Sequence, residues 1–557
     1  MSNFFQFCPN YAIIVSHSPK KGVRIGANFT RQARFETTPI GGNYGTRVCP
    51  ENFDMSQEEK KETEEEASDD KSLPPPEDKL SVTQHSVTIH GEEIRYTATT
   101  GTLVLKEESE KEGEKAKASV FFVAYTRDDV ADPGSRPITF AFNGGPGSSS
   151  VWLHLGLLGP RRIKPDAAGK PSQPPYALIN NEFSILDKTD LVFIDPVSTG
   201  FSRAVPGEEA KQFHGFKKDI ESVGDFILLY LGRYKRWSSP KFLIGESYGT
   251  TRAGGLSGYL QEQRGTYLNG IMLVSVVLNF QTILFGPGND LPYILFLPTY
   301  AATGLYHDKS QASETKPIDP VQIAAHFDAT LAEVKSFAMG EYTLALMQGS
   351  ELPPGIRAEM IKRLAAYTGL SREYLDWTNL RIDISRFCKE LLRDEGRTVG
   401  RFDSRYTGID RDSAGESFEY DPSSAIIQGA YTAMLNSYVR GELEFKSDLP
   451  YEILSRRVHP WNYEQHQNQY VNVADTLRKA MSMNPALKVF VASGYYDLAT
   501  PYLATEYTFT HLGLDKSLQG NITMAYYKAG HMMYIDMHEL AQMKEDLDAF
   551  LDSALSG

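Results

Sequence analysis

The segment Lys241-Phe-Leu-Ile-Gly-Glu-Ser-Tyr-Gly-Thr-Thr-Arg252 combines a short apolar run, a serine flanked by glycines and a possible helix start. The apolar run Phe-Leu-Ile predicts a short strand, and the residues after Gly249 can open a helix. Between them, Gly-Glu-Ser-Tyr-Gly matches a nucleophile elbow, in which a strand turns sharply into a helix and lifts the Ser247 Oγ above the sheet. Glycines flank the serine because so tight a turn leaves no room for Cβ atoms. By itself the pentapeptide more often marks an ordinary turn, so the rest of the chain has to decide.

Strand and helix patterns alternate on both sides of this turn. Continuous apolar runs are typical of parallel strands that are covered on both faces, and they occur at residues 138–142, 191–195 and 270–278. Apolar residues at three- and four-residue steps predict a helix over about 216–234. Further strands are predicted at 488–492 and 522–526, and a helix over about 537–554. β-Branched and aromatic runs at 86–89, 93–97 and 119–125 predict antiparallel strands before the parallel ones.

A long stretch after residue 298 lacks strand patterns and is largely helical, which predicts an insertion that caps the carboxyl edge of the sheet, where sites in open α/β sheets lie. The predicted organisation is an irregular N-terminal segment (1–50), an acidic disordered linker (51–80), the first part of the core (81–297), a mainly helical cap insertion (298–455) and the second part of the core (456–557).

Composition excludes several classes of protein. The chain has 557 residues, 41% hydrophobic and 23% charged, and its net charge of −14 argues against nucleic acid, which requires a basic face. Two densely charged stretches, 59–70 and 106–117, are interpreted as solvated, mobile chain. Three cysteines cannot form a disulfide framework and have no metal-type spacing, and no cofactor or metal is expected.

Membrane and targeting signals are not visible. No stretch approaches the roughly 18–20 apolar residues that span a bilayer, and the first residues lack a basic region followed by a sustained apolar one. Either the protein stays in the cytoplasm or an export signal is not visible in this chain. Oligomeric state is left open.

A serine nucleophile needs a histidine to take its proton and a carboxylate to fix that histidine. In α/β-hydrolases these residues follow in the order Ser, Asp or Glu, His. Asp497 follows the predicted strand 488–492, and His531 follows the predicted strand 522–526, so both stand at carboxyl ends of strands. We therefore predict the triad Ser247, Asp497 and His531, with His459 and His538 as the rival histidines.

Donors for the developing oxyanion are predicted on two loops. The backbone N–H of Tyr248 directly follows the nucleophile, and the glycine-rich loop Asn143-Gly-Gly-Pro-Gly147 ends an earlier strand. Gly144 or Gly145 would supply the second N–H. Such a donor contributes roughly 3–4 kcal/mol to the transition state.

Five ordered motifs together resemble the serine carboxypeptidase family of the α/β-hydrolase fold. They are Asn143-Gly-Gly-Pro-Gly147, Asp195-Pro-Val-Ser-Thr-Gly-Phe-Ser202, Gly245-Glu-Ser-Tyr248, Ser493-Gly-Tyr-Tyr-Asp497 and Gly530-His-Met532. Ser150-Val-Trp-Leu-His154, Ala492-Ser-Gly-Tyr-Tyr-Asp-Leu498 and Gly530-His-Met-Met-Tyr534 are similar to bacterial members. The resemblance spans about residue 81 to the C-terminus.

The resemblance implies an exopeptidase that removes C-terminal residues of peptides or proteins through an acyl-enzyme. It further implies that Asn143 and Glu246 hold the substrate's terminal carboxylate, for which Glu246 must be protonated. Burial near an anionic ligand raises a carboxyl pKa and so agrees with this role.

Three departures from the family pattern qualify the resemblance. Leu157 stands where the family often has a second glutamate, Ser148 replaces a cysteine found in many eukaryotic members, and the usual signal peptide is missing, although family members are often periplasmic or secreted. Arg161 and Arg162 could add charge near this position but are interpreted as surface residues. Alternatives are an esterase or acyltransferase of the same fold, which Leu157 mildly favours, and a non-catalytic binding protein.

Overall fold

The computed structural model describes residues 76–109, 113–166, 173–310, 320–463 and 466–556. The predicted irregular segment 1–50 and most of the predicted linker, residues 51–75, lie outside the described residues. The last two residues of that linker, Lys79 and Leu80, belong to the first strand.

The strands are β1 (Lys79–Ile89), β2 (Glu92–Ser109), β3 (Gly113–Arg127), β4 (Ile138–Phe142), β5 (Arg161–Ile163), β6 (Leu178–Asn180), β7 (Asp190–Ile194), β8 (Arg203–Ala204), β9 (Lys241–Ser247), β10 (Gly270–Val276), β11 (Thr398–Val399), β12 (Thr407–Gly408), β13 (Lys488–Gly494) and β14 (Ile522–Tyr527). Nine strands overlap the predicted positions, and β1, β2 and β3 extend well beyond them, whereas the short strands β5, β6, β8, β11 and β12 were not predicted.

The α-helices lie between and after these strands. They are α1 (Val151–Leu153), which continues as a π-helical turn over His154–Leu158, α2 (Phe216–Arg233), α3 (Tyr248–Gly258), α4 (Leu291–Tyr306), α5 (Pro320–Phe337), α6 (Thr343–Gln348), α7 (Pro354–Thr368), α8 (Arg372–Trp377), α9 (Ile384–Glu390), α10 (Pro422–Gly441), α11 (Ala474–Met483), α12 (Tyr502–Thr510) and α13 (Met537–Leu555).

One large sheet has the strand order β1-β2-β3-β7-β4-β9-β10-β13-β14, with β8 paired to β3. β1, β2 and β3 are antiparallel to their neighbours, and β3 is antiparallel to β7. From β7 to β14 every neighbouring pair is parallel. The predicted mostly parallel sheet with N-terminal antiparallel strands is confirmed. Because parallel strands end at the same edge, the loops after β4, β9, β13 and β14 meet there.

Strand β9 illustrates how the sheet separates two cores. Phe242 and Ile244 pack on one face with α10 and α13, whereas Leu243 packs on the other face with α2, α3 and α11. All three side chains are 0% exposed. Successive side chains of β9 point to opposite faces of the sheet, and both faces are buried. The sequence of the strand is therefore a continuous apolar run.

The largely helical region forms a third core of its own. α4, α5 and α7 pack together, and this core includes Tyr496 and Leu498 from the loop after β13. The backbone N–H of Leu498 donates to the Arg401 carbonyl at 3.0 Å, so the helical region borders the carboxyl edge of the sheet. Residue 298, the predicted start of the insertion, lies inside α4.

The charged stretch 106–117 is not the mobile chain that composition predicts. Residues 106–109 belong to β2 and residues 113–117 to β3, and the two strands stay paired, for example Lys106 with Ala116. Lys106 also forms an ion pair with Glu114 at 3.0 Å. Cross-strand charges of opposite sign can stabilise a hairpin that extends beyond the apolar core, so high charge density did not prevent strand formation. Residues 110–112 lie outside the described residues.

Within the described parts of the chain, no helix is both long enough and apolar enough to cross a bilayer.

Candidate active site

The turn at Ser247 has the strained backbone of a nucleophile elbow. Ser247 ends β9 with φ 60° and ψ −128°, and α3 begins at the next residue. A non-glycine residue rarely adopts positive φ. The glycines on both sides are required by contact: a Cβ on Gly245 would lie 2.2 Å from the Gly249 carbonyl oxygen, and one on Gly249 would lie 2.8 Å from the Phe142 carbonyl oxygen. The turn thus packs against the end of β4.

Asp497 and His531 form a buried pair. The His531 Nδ1 lies 2.8 Å from Asp497 Oδ2, and the two residues are 3% and 0% exposed. Asp497 also accepts hydrogen bonds from the backbone N–H groups of Ala499 and Thr500 and from the Thr500 hydroxyl, at 2.7, 3.0 and 2.7 Å. These donors fix the orientation of the Asp497 carboxylate, which holds the proton of His531 on Nδ1 and leaves Nε2 as the acceptor for a serine proton.

The electrostatic surroundings of His531 favour its role as a base. Burial lowers the pKa of His531, but the charge and hydrogen bond of Asp497 more than offset this and raise the pKa above its ordinary value. A base is most effective when its pKa lies near the working pH.

The His531 loop is tied to the strand beside the elbow. Ser275 of β10 donates its hydroxyl to the His531 carbonyl oxygen at 2.6 Å, and the next residue, Val276, pairs with Ser247 across the sheet. From the helical region, the Phe402 carbonyl accepts the His531 N–H at 2.6 Å, and the two rings lie 4.8 Å apart. The histidine is therefore held from both sides at the sheet edge that bears Ser247.

The glycine loop after β4 touches the start of α3. A Cβ on Gly144 would lie 2.4 Å from the Tyr248 backbone nitrogen, so the loop approaches the elbow as closely as backbone permits. Gly145 has φ +105°, a conformation that favours glycine. The structure thus brings together the predicted oxyanion donors of Gly144, Gly145 and Tyr248.

A buried ion pair between α3 and α2 holds the glycine loop in place. Arg252 of α3 donates to the Asn143 carbonyl oxygen at 2.6 Å and pairs with Asp219 of α2 at 2.8 Å. Arg252 is 1% exposed, and its guanidinium stacks over the rings of Phe142 and Tyr248. One side chain therefore joins the glycine loop, the elbow helix and α2.

Asn143 and Glu246 face each other beside the elbow. The Asn143 amide donates to Glu246 Oε1 at 2.9 Å, and the Tyr534 hydroxyl donates to Glu246 Oε2 at 2.5 Å. Glu246 is 3% exposed. Burial raises the pKa of Glu246 to about 7, against the opposing influence of His531 and of the two hydrogen bonds. The carboxyl group can therefore be neutral near neutral pH, as binding to an anion requires.

The rival histidines lie elsewhere. His459 and His538 are exposed, and His538 contacts Glu539 at the beginning of α13. Neither makes a contact with Asp497 among the contacts described for this carboxylate.

The two arginines near Leu157 are engaged in ion pairs. Arg161 pairs with Glu442 at 2.9 Å, and Arg162 pairs with Glu182 at 3.1 Å. Arg162 is 5% exposed and so differs from the predicted surface residue. Leu157 is fully buried in the apolar core.

The described residues hold one group with metal-ligand character, formed by His90, Asp187 and Asp548. The Lys544 ammonium donates to both of these carboxylates, at 2.7 and 2.6 Å. Since a cation already bridges them, the group is an internal ion cluster that joins the β1–β2 turn to α13.

Several residues of this site were missed by sequence reasoning. Phe402 comes from the insertion, whose pattern does not indicate which backbone touches His531. Thr500 follows Asp497 by three residues and Arg252 follows Ser247 by five, so their spacing was the available signal. Tyr534 stands within the quoted Gly530–Tyr534 stretch but was not assigned a role.

Part of the sequence is similar to known proteins. Residues 108–288 match the family model described as serine carboxypeptidase. The pheromone-processing carboxypeptidase KEX1 of Saccharomyces cerevisiae is 34% identical over 155 residues, which cover 27% of this chain and 20% of the yeast protein. Serine carboxypeptidase-like 29 of Arabidopsis thaliana is 33% identical over 122 residues, covering 21% of this chain and 24% of the plant protein. The chain therefore spans only about a fifth to a quarter of the length of these relatives.

A solved structure extends the likeness to most of the fold. The crystal structure of a prohormone-processing carboxypeptidase from Saccharomyces cerevisiae has a TM-score of 0.51 and 16% identity, and the match covers 82% of this chain and 91% of that one. The matched segment 108–288 contains Asn143, Glu246 and Ser247, and the shared sheet carries Asp497 and His531 to the same edge. Residues 108–288 are therefore similar to the serine carboxypeptidase family, and the chain has an α/β-hydrolase fold.

Proposed function

We propose that this protein is a serine-type carboxypeptidase that hydrolyses C-terminal peptide bonds of peptides or proteins. The observation that carries the proposal is the buried Asn143–Glu246 pair directly beside Ser247. A neutral Glu246 donates a proton to a carboxylate, and Asn143 has a second N–H to offer. Two donors of this kind next to a nucleophile suit a substrate whose chain ends one residue beyond the scissile bond.

The proposed chemical steps use the residues of the candidate active site. Ser247 Oγ attacks the carbonyl carbon while His531 Nε2 takes its proton, and the backbone N–H groups of Tyr248 and the glycine loop stabilise the oxyanion. His531 then gives the proton to the leaving amino group, and the terminal amino acid departs from an acyl-enzyme. Water, deprotonated by His531, releases the shortened peptide and restores Ser247.

The test is hydrolysis of N-blocked dipeptides that differ only at the C-terminus, as a free carboxylate or as an amide. We expect the carboxylate substrate to be strongly preferred and Ser247→Ala to abolish both turnover and fluorophosphonate labelling. Cleavage of simple esters without cleavage of blocked dipeptides would instead indicate an esterase. Transfer to an added amine or alcohol in preference to water would indicate an acyltransferase.

A further inference from the structure

The phenol of Tyr534 occupies one oxygen of the Glu246 carboxyl group. Its hydroxyl donates to Oε2 at 2.5 Å, while Asn143 donates to Oε1 at 2.9 Å. Tyr534 is 2% exposed. Among the described residues, these are the two side chains that hydrogen-bond this carboxyl group.

The ring of Tyr534 is fixed by its neighbours. It stands in the short helical turn Met533–Ile535, three residues after His531. A Cβ on Gly156 would lie 2.4 Å from the Tyr534 ring and 2.7 Å from the Tyr431 hydroxyl. The turn before Leu157 therefore makes room for two phenol rings, and Leu157 itself brings no polar atom. The second polar partner of Glu246 comes from the loop of the catalytic base.

The phenol acts as a donor over the whole working range of pH. Burial raises the pKa of Tyr534 well above its ordinary value, so the hydroxyl keeps its proton. A donor to a carboxylate favours the ionised form. Tyr534 therefore opposes protonation of Glu246, which burial promotes.

We propose that Tyr534 is a positioning residue that orients Glu246 toward the C-terminal carboxylate of the substrate and sets the upper pH limit of substrate binding. The inference rests on the proposed function, because it concerns the same carboxylate site. In the arrangement described, the phenol donates to Oε2 rather than accepting from it, so the carboxyl proton of Glu246 is available to the substrate.

Substitution of Tyr534 leaves the other titratable groups around Glu246 in place. His531 and Asp497 act on its charge from the loops after β14 and β13. Tyr431 of α10 feels the charges of Glu246 and of Arg162 of β5, but it is not one of the two side chains that hydrogen-bond Glu246. None of these groups is altered by a substitution at residue 534.

The experiment measures kcat/KM against pH for Tyr534→Phe with a blocked dipeptide and with its C-terminal amide. Loss of one hydrogen bond to a charged group corresponds to about one pH unit, so the alkaline limb for the carboxylate substrate should move up by about that much. KM for this substrate should rise at acidic pH, and the amide should be unaffected. Tyr431→Phe is the matched control, since it removes a neighbouring buried phenol, and its alkaline limb should stay in place.

A second variant should shift the alkaline limb in the opposite direction. Tyrosine fluorinated on the ring and incorporated at residue 534 is a stronger donor, so the alkaline limb should move to lower pH. Binding of an N-blocked amino acid, measured by calorimetry across the same pH range, provides a readout without turnover. An unchanged limb in both variants, or equal shifts with the amide, overturns the role of Tyr534. A wild type that cleaves no blocked dipeptide overturns the proposed function, and the binding data then decide this inference alone.

Discussion

Replacement of Glu246 by glutamine tests the group that we propose limits activity at alkaline pH. In the proposed mechanism, the active form has a neutral His531 and a protonated Glu246. With the pKa of Glu246 at about 7, its neutral fraction falls about tenfold per pH unit above that value, to about one in a hundred at pH 9. The Glu246→Gln variant stays neutral, so the ratio of its kcat/KM to that of the wild type should rise about tenfold per unit over this range.

The surroundings indicate that glutamine fits without a new unpaired group. Asn143 cannot turn over, because its Oδ1 accepts the Leu153 backbone N–H at 3.1 Å. The glutamine oxygen would therefore accept from Asn143, and its amino group would face Tyr534, whose hydroxyl can rotate to accept.

The assay is kcat/KM from pH 5 to 9.5 with a blocked dipeptide, with its amide as the control substrate. Glu442→Gln, which neutralises a carboxylate at the surface, is the control variant. In Glu246→Gln the acid limb should also move to lower pH, because the Glu246 charge raises the pKa of His531. In the wild type the two limbs overlap, so the fitted values belong to the pair.

Unfolding provides a readout that does not depend on turnover. A carboxyl pKa raised from 4.5 to about 7 destabilises the folded state as pH rises, since the unfolded chain ionises first. The full stability is present below pH 4.5, and about 3 kcal/mol is lost by pH 7 or above. Glu246→Gln should gain this amount over wild type between pH 4.5 and 8. An alkaline limb that persists unchanged, with no such gain, refutes the assignment of Glu246.

Three further predictions concern the triad and its supports. Asp497→Asn should lower kcat by about 10³–10⁴ with little change in KM, because an amide cannot accept from all four donors around this position; the kinetics should be read beside a thermal unfolding curve that confirms a folded variant. Arg252→Met should cost about 3–5 kcal/mol in urea unfolding by leaving Asp219 charged and unpaired in the core, and a second change, Asp219→Asn, should recover much of it. Gly144→Ala should lower kcat by at least about 10² through displacement of the oxyanion donors, whereas Gly355→Ala, with open space at the Cβ position, should match the wild type.

The sheet could be predicted from the sequence because each strand carries its own signal. Apolar runs such as Ile138–Phe142 are unambiguous when both faces are buried, and the strand occupies those very residues. The prediction of mobile chain over 106–117 was wrong for the opposite reason. Strand formation there depends on pairing between β2 and β3, which the composition of a short segment does not indicate. Composition gives the charge density of a segment but does not indicate which residues pair across two strands.

The candidate site was predictable where function imposes a motif. The positions of Ser247, Asp497 and His531 relative to predicted strands placed all three at one edge before any coordinates. Tyr534 and Phe402 were not predicted, because their contacts with Glu246 and His531 span about 290 and 130 residues of sequence. A tyrosine in a loop has no pattern that distinguishes a donor to a buried carboxylate from a packing residue.

Among the described residues, Glu246 has no cationic hydrogen-bond partner, although the charges of His531 and Asp497 also act on its pKa. Glu246 receives hydrogen bonds from an amide and a phenol, and the nearby Arg162 is paired with Glu182. A carboxyl group without a cationic partner protonates readily, and only then can it bind another carboxylate. An arginine there would bind the substrate's terminus at any pH, whereas a shared proton makes binding fail as pH rises. Burial and the phenol of Tyr534 act on this same proton in opposite directions, because burial favours protonation of Glu246 and a hydrogen-bond donor opposes it. In the proposed mechanism, the pH range of substrate binding therefore depends on the balance between burial of Glu246 and the hydrogen bonds that it accepts.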